Sequence, residues 1–414
     1  MKNLPVRGLF LAGIFAALAT ISLAQVVQFN ATINGTQETP SNSSPATGNA
    51  VMLYDVSKNT YDLIVTINNL SNTIANSHIH EAAAGVAGGV VVPFGGESLY
   101  TRTGNTVTAE FKGTYSGTPK TLLSGGAYYN LHTSQFPGGE VRGQLIPQVK
   151  RLTAIITPAQ EQAAQAPGTT INSNAWGAAI VWYDPAANTV TTRINLFNFT
   201  NTFANSHFHE APAGTSGGVV LAIGGASAYT NNGNGSYTGA WDNVTYTGDA
   251  IKLLTGGAYL NFHSNVYPGG EIRGQVWPDD EVFGTGVVNV STLANVSSSG
   301  GFITGFSIQG PAPCQVLITA KGPSLAAYGL TGALSDPSIA LYDGASHWIG
   351  ANNDIGTPTA TSDLGKAPGV PKNTVESAIA VVLPPGHYSV VVSGNGGATG
   401  AALLEVTNAH VFGR

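Results

Sequence analysis

The feature that most constrains this chain is that it contains itself twice. Asn76-Ser-His-Ile-His-Glu81 returns as Asn205-Ser-His-Phe-His-Glu210, and Leu122-Leu-Ser-Gly-Gly-Ala-Tyr-Tyr-Asn-Leu-His132 returns as Leu253-Leu-Thr-Gly-Gly-Ala-Tyr-Leu-Asn-Phe-His263. Pro137-Gly-Gly-Glu-Val-Arg-Gly-Gln144 returns as Pro268-Gly-Gly-Glu-Ile-Arg-Gly-Gln275. The spacing is roughly 130 residues, far longer than a solenoid repeat, so whole domains are duplicated and not the units of one stacked array. Prolines soon after each closing segment, Pro147 and Pro278, place boundaries at 25–148 and 149–279, with a third domain at 286–414.

Within each unit the apolar residues alternate, as in Tyr61-Asp-Leu-Ile-Val-Thr-Ile67 and Thr189-Val-Thr-Thr-Arg-Ile-Asn-Leu196. Period two with Gly, Asn and Pro between runs means short antiparallel strands. A clean helical period is lacking apart from one turn around Ala159 to Ala166. The expected class is therefore all-β: two tandem Greek-key-like sandwich or barrel domains. The third domain continues the style in Val316–Ala320, Ser338–Tyr342 and Tyr388–Val392 and reads as a further β-sandwich.

Composition limits the partners. Charged residues are 9% of the chain against a usual value of about 25%, and 16 Lys and Arg among 414 residues supply no basic surface for nucleic acid. At the start, Lys2 and Arg7 precede an apolar run from Leu9 to Leu23 that ends in Ser22-Leu23-Ala24. This is the pattern of an export signal cleaved after Ala24, too short for a spanning helix, and no later segment could span a bilayer. The expected location is outside the cytoplasm: secreted, at the cell surface or in the periplasm. Cys314 is the single cysteine, so no intrachain disulfide forms.

His78 and His80, two apart on a strand, share a face, and His132 is the candidate third ligand from a later strand; His207, His209 and His263 repeat the set. Three imidazoles without thiolate suit copper best, with zinc the alternative, one ion per repeat. The competing reading makes these histidines hydrogen-bonded fold residues, and duplication by itself preserves both kinds. Glu140 with Arg142, and Glu271 with Arg273, also alternate; a carboxylate there would orient a ligand by accepting its free ring N–H, or each pair would close a strand as an ion pair. The glycine pairs 138–139 and 269–270 read as turns that use positive φ. No catalytic constellation is visible: no Gly-x-Ser-x-Gly, no His-Glu-x-x-His and no cysteine in either repeat, and Glu81 and Glu210, next to a His, face the other way.

By these residues, together with the early Gln37-Glu-Thr-Pro40, the chain resembles the CHRD family, named from chordin and found also in exported bacterial proteins. The likeness covers about residues 26–147 and 150–278. The second copy departs at Pro158-Ala-Gln-Glu161, where the order of the early motif is altered, and at Ser264 in place of Thr133. The resemblance implies an extracellular binding or structural module with a partner outside the cell or on its surface. A looser likeness is to Cu/Zn superoxide dismutase, in which His78, His80 and His132 would match copper ligands. That likeness implies, as the alternative, a copper-dependent redox enzyme, although the bridging His and the zinc-loop ligands have no counterpart here.

Overall fold

The structure is a computed structural model describing residues 25–279, 290–298, 300–355 and 370–408. The expected signal segment, His410 and the start of the third domain at 286 lie outside these residues.

The first repeat runs β1 Val26–Asn34, β2 Thr47–Asp55, β3 Thr60–Asn68, β4 Ile74–Glu81, β5 Gly89–Pro93, β6 Thr101–Thr103 and β7 Thr106–Thr114. A five-residue helix, α1 Pro119–Leu123, precedes β8 Ala127–Thr133, β9 Val141–Gln144 and the short β10 Ile146–Pro147. Hydrogen bonding orders the strands β5-β4-β8-β9-β1-β2-β3-β7-β6, with β10 also on β1, and the sheet curls into a half-barrel. Alternation sets the curl's inside: along β3, Tyr61, Leu63, Val65 and Ile67 are buried while Asp62, Ile64 and Thr66 face out. Each such apolar side chain contributes about 1.5–3 kcal/mol by leaving water.

The second repeat copies this path with β11 Lys150–Ile156, β12 Trp176–Asp184, β13 Thr189–Phe197, β14 Phe203–Glu210 and β15 Gly218–Ala222. It continues through β16 Thr230–Gly233, β17 Ser236–Thr245, α3 Ala250–Leu254, β18 Ala258–Ser264 and β19 Ile272–Pro278, in the order β15-β14-β18-β19-β11-β12-β13-β17-β16. The helix α2, Pro158–Ala164, fills the segment where one turn was expected; Pro158 opens it at a position whose N–H is not needed, and the Thr157 side chain accepts from Gln160 N. Most of the buried apolar residues of the two repeats form one contiguous cluster.

The third domain has β20 Val290–Val296, β21 Phe302–Ile308, β22 Cys314–Lys321, β23 Pro337–Asp343, β24 Trp348–Asn352, β25 Ser377–Leu383, β26 Gly386–Gly394 and β27 Gly400–Asn408. They form two four-stranded sheets, β20-β27-β22-β25 and β21-β26-β23-β24. Val316, Ile318, Leu404 and Val406 of one sheet meet Ile339, Leu341, Val390 and Val392 of the other, which is a β-sandwich. Its β25 also packs on the outer face of β12 and β13, where Val382 clusters with Ala178, Ile180 and Trp182, and the Val382 N–H donates to Asn195 Oδ1 at 2.9 Å. Among the described residues no helix is long and apolar enough to cross a membrane.

Candidate metal centre

The site is built on the outer face of the curled sheet. In β4, β8 and β9, His78, Asn130 and Arg142 lie directly opposite one another, as do His80, Tyr128 and Gln144, so all six share that face. Between them Ile79 and Tyr129 point inward and are fully buried. His132, two residues past Asn130, completes the set. The His78 ring centroid lies 5.4 Å from that of His80 and 5.2 Å from that of His132, with His80 and His132 6.4 Å apart. In the second repeat the separations are 5.4, 5.1 and 6.1 Å. In each repeat one nitrogen from every ring falls within 4.8 Å of the other two.

Hydrogen bonding decides which nitrogens these are. His80 Nδ1 lies 2.9 Å from the Gly88 carbonyl and His132 Nδ1 lies 2.9 Å from the Pro137 carbonyl. A carbonyl only accepts, so both Nδ1 atoms carry hydrogen and both Nε2 atoms keep a free lone pair. Those Nε2 atoms, and His78 Nδ1, are buried without a partner in the protein. In the second repeat His209 and His263 are held by Gly217 O at 2.9 Å and Pro268 O at 3.0 Å, His207 Nδ1 and His263 Nε2 approach to 3.2 Å, and His209 Nε2 has no partner. A buried unsatisfied nitrogen costs about 1–3 kcal/mol, so the three converging unpartnered nitrogens of the first repeat are an expensive way to fill space and a fitting way to hold a cation, while in the second repeat His263 Nε2 accepts from His207 Nδ1. Burial, and then His132 and His80, push His78 down to about 4, and burial is the leading cause that lowers His80, His207, His209 and His263. The neutral, ligating form thus persists below the ordinary imidazole range.

Beside the triad stands a column of planar groups. Tyr128 stacks on His80 at 4.9 Å and 3°, and the Arg142 guanidinium sits over the Tyr128 ring, 3.4 Å from its centroid. Tyr259 and Arg273 repeat this at 4.9 Å and 3.4 Å. Arg142 also donates to the carbonyls of Ala83 and Val86, at 3.1 and 2.8 Å, and Gln144 Nε2 donates to Ala82 O at 2.9 Å, which ties the loop after β4 down over the column. Arg273 and Gln275 do the same to Pro212, Thr215 and Ala211.

The expected role of Glu140 is corrected. Its carboxylate accepts from Ser44, Asn72 and Thr133, and Glu271 accepts from Ser173 and Asn201, so the ligand rings are oriented by backbone carbonyls and not by these acids. Nor do Arg142 and Arg273 spend their N–H groups on Glu140 and Glu271: those go to the loop carbonyls and to Gln144 and Gln275. Glu81, as expected, turns away, accepting from Tyr115 Oη at 2.9 Å.

A different acid lies on the site's face. Asn130 Nδ2 donates to Glu38 at 2.7 Å, and burial raises Glu38 to about 7 against the opposing pull of Asn130 and Arg142. Glu161 takes the matching place with Gln165 and Asn261, and burial raises it too. The early motif therefore keeps its order in the second copy: Gln37 Oε1 accepts from Gln144 N as Gln160 Oε1 does from Gln275 N, and only the proline moves from after Gln-Glu to before it. These acids also explain the second glycine of each Pro-Gly-Gly-Glu. Gly139 and Gly270 have φ of +127° and +135°, and a Cβ on Gly139 would lie 2.6 Å from the Glu38 carboxylate. Tyr128, Asn130 and Glu38 were not singled out from sequence, although Tyr128-x-Asn130-x-His132 alternates onto one face and recurs unchanged in Tyr259-x-Asn261-x-His263.

Among the described residues the two histidine triads are the groups that could hold an ion. His347 pairs with Asp343 at 3.0 Å and His387 with Ser307 at 2.8 Å.

Fold and site together define a class: tandem curled β modules, each presenting a three-histidine cluster on its outer face. The CHRD domain model matches residues 29–145 and 152–276, and the chain belongs to the CHRD domain family. No curated protein matches it. Among solved structures, the pre-peptidase C-terminal domain of a collagenase from Bacillus anthracis is 11% identical over 29% of this chain and 90% of its own, with a TM-score of 0.20. A structure of infectious bursal disease virus is 10% identical over 90% of this chain and 75% of its own, with a TM-score of 0.14. Likenesses this slight carry no argument about fold or role.

Proposed function

We propose that the protein is an exported binding or structural module that acts outside the cytoplasm and holds one mononuclear metal ion per CHRD repeat, copper in preference to zinc. The ligands are His78, His80 and His132 in the first repeat and His207, His209 and His263 in the second. The observation that carries this reading is the convergence of buried nitrogens in the first repeat: carbonyls fix the Nδ1–H of His80 and His132, so the nitrogens facing the centre have no other partner in the protein. An all-imidazole set without thiolate or carboxylate favours copper, and three ligands leave a coordination position open. Export rests on Lys2, Arg7 and the apolar run ending at Ala24. The partner is extracellular or on a cell surface.

Purification without chelator or affinity histidines, followed by metal analysis, should give two equivalents of copper per chain. His80→Ala and His209→Ala should each remove one. Stoichiometry unchanged in both variants would mean that the histidines serve the fold alone. The redox-enzyme reading ranks second, because among the described residues each triad has no bridging histidine or neighbouring second metal group. Superoxide turnover that disappears with His80→Ala would reverse that ranking.

A further inference from the structure

The Arg-Gly-Gln segment that closes each repeat is distant in sequence from the His-x-His it serves. Arg142 fastens the Ala82–Gly88 loop by two carbonyls, and its guanidinium face presses on Tyr128. Tyr128 in turn stacks on the His80 ring, and its hydroxyl oxygen accepts from Gly88 N at 3.0 Å. Gly88 is the residue whose carbonyl holds His80 Nδ1. One residue, Gly88, thus bonds two neighbouring members of the column, His80 and Tyr128, and the same closed circuit runs through His209, Tyr259 and Gly217, with Arg273 over Tyr259.

We propose that Arg142 and Arg273 are positioning residues that, through Tyr128 and Tyr259, lock His80 and His209 in the Nδ1–H tautomer and at one ring angle, so that Nε2 is presented before any ion arrives. This rests on the metal reading for its purpose but not for its geometry. A stacked ring cannot rotate about χ2 without leaving Tyr128, and the carbonyl that selects its tautomer is held in place only while the loop is fastened. Lysine would keep the charge of Arg142 but lose the flat face and the fork that reaches two carbonyls. The column works by shape, so charge alone should not restore it.

The test uses the full chain with 15N-labelled histidine and compares the wild type with Arg142→Lys and Tyr128→Phe, the second repeat serving as an internal reference. In the metal-free wild type, His80 and His209 should each show a single Nδ1–H tautomer. Arg142→Lys should turn His80 into a tautomer mixture and leave His209 as it was. Titration with Cu(II) alone should then show the first-repeat site weakened by about 10–100-fold, as is usual when a group that orients a ligand is lost. The Cu(II) electron paramagnetic resonance signal of that site should broaden into more than one species. Tyr128→Phe keeps the stack and removes only the hydroxyl held by Gly88 N, so it should fold as the wild type does and give an intermediate loss. An unchanged His80 tautomer and unchanged affinity in both variants would overturn the proposal. Absence of Cu(II) or Zn(II) binding by the wild type would defeat the metal reading, and the metal-free tautomers would still decide whether the column positions the ring.

Discussion

The two repeats differ in a way that separates the inside of the sheet from its outside. Behind the site, Ile79, Tyr129 and Leu131 of the first repeat become Phe208, Leu260 and Phe262 in the second, all buried and all repacked. On the outer face His78, His80, Tyr128, Asn130, His132, Arg142 and Gln144 recur without change as His207, His209, Tyr259, Asn261, His263, Arg273 and Gln275. Cores tolerate exchange of apolar shapes when volume is kept, so the inward drift is what fold maintenance permits. Outward positions are ordinarily the freer ones. Here they are the fixed ones, which favours a demand made by the site over one made by the fold.

The outer face is not fixed everywhere. On the far side of the same sheets, Leu53 and Ile64 are exposed and Asp62 pairs with Lys112 at 2.9 Å, whereas the matching Trp182, Arg193 and Thr191 belong to the face on which the third domain sits. The two halves of one surface differ: one is the same in both copies, the other is a docking face in the second copy and solvated in the first.

This contrast can be broken, the largest effects first. His80→Ala with His209→Ala should abolish metal retention altogether while thermal unfolding of the metal-free chain moves little; a collapse of the metal-free protein would make the outer face a fold requirement. Phe262→Ala, on the inner face, should do the reverse, costing about 3–5 kcal/mol in denaturant unfolding while two metal equivalents remain under native conditions.

Glu38→Gln sharpens the comparison by pH. A carboxyl raised to about 7 in the folded state binds its proton more tightly folded than unfolded. Its favourable contribution is therefore complete below pH of about 4.5 and is lost as pH rises through about 7. The Gln variant should lack that loss, so it should gain on the order of 2 kcal/mol over the wild type between pH 5 and 8, read from melting curves at each pH. An identical pH slope in both proteins would show that Glu38 is ionised throughout. The smallest effects lie on the far face. Asn195→Ala leaves the buried Val382 N–H without an acceptor and should cost about 1–3 kcal/mol, whereas the matching Thr66→Ala, half-exposed on the first repeat, should stay within about 0.5 kcal/mol.

Much of this was legible in the sequence because it is local or periodic. Alternation along Tyr61–Ile67 and Thr189–Leu196 gives strands and their inner faces, and the recurrence of His-x-His with a later His gives the triad, since strand geometry alone puts alternate residues together. The orienting groups were not legible. They are backbone carbonyls, Gly88 O and Pro137 O, which no residue type announces, and their placement depends on loops folding back onto the rings. The column was hidden for a related reason: Arg142 reaches Ala83 and Val86 across more than fifty residues, a pairing set by the register of β8 with β4 and β9. Glu140 misled because alternation with Arg142 says which face it takes but not that Ser44 and Asn72 arrive first. The equivalence of Gln37-Glu38 with Gln160-Glu161 is likewise one of position, plain once both glutamines meet the backbone of the last strand.

Every ligand, every orienting carbonyl and the whole column of each site come from a single repeat. Neither site borrows an atom from its twin, so a titration of the pair should follow one hyperbola with a Hill coefficient of about one. On the metal reading, capacity in such a chain is a matter of copy number: a third duplication would add a third site without redesigning the other two, and the loss of a repeat would subtract one. The chain counts in modules, and on the metal reading its dose of metal would be written in the length of its gene.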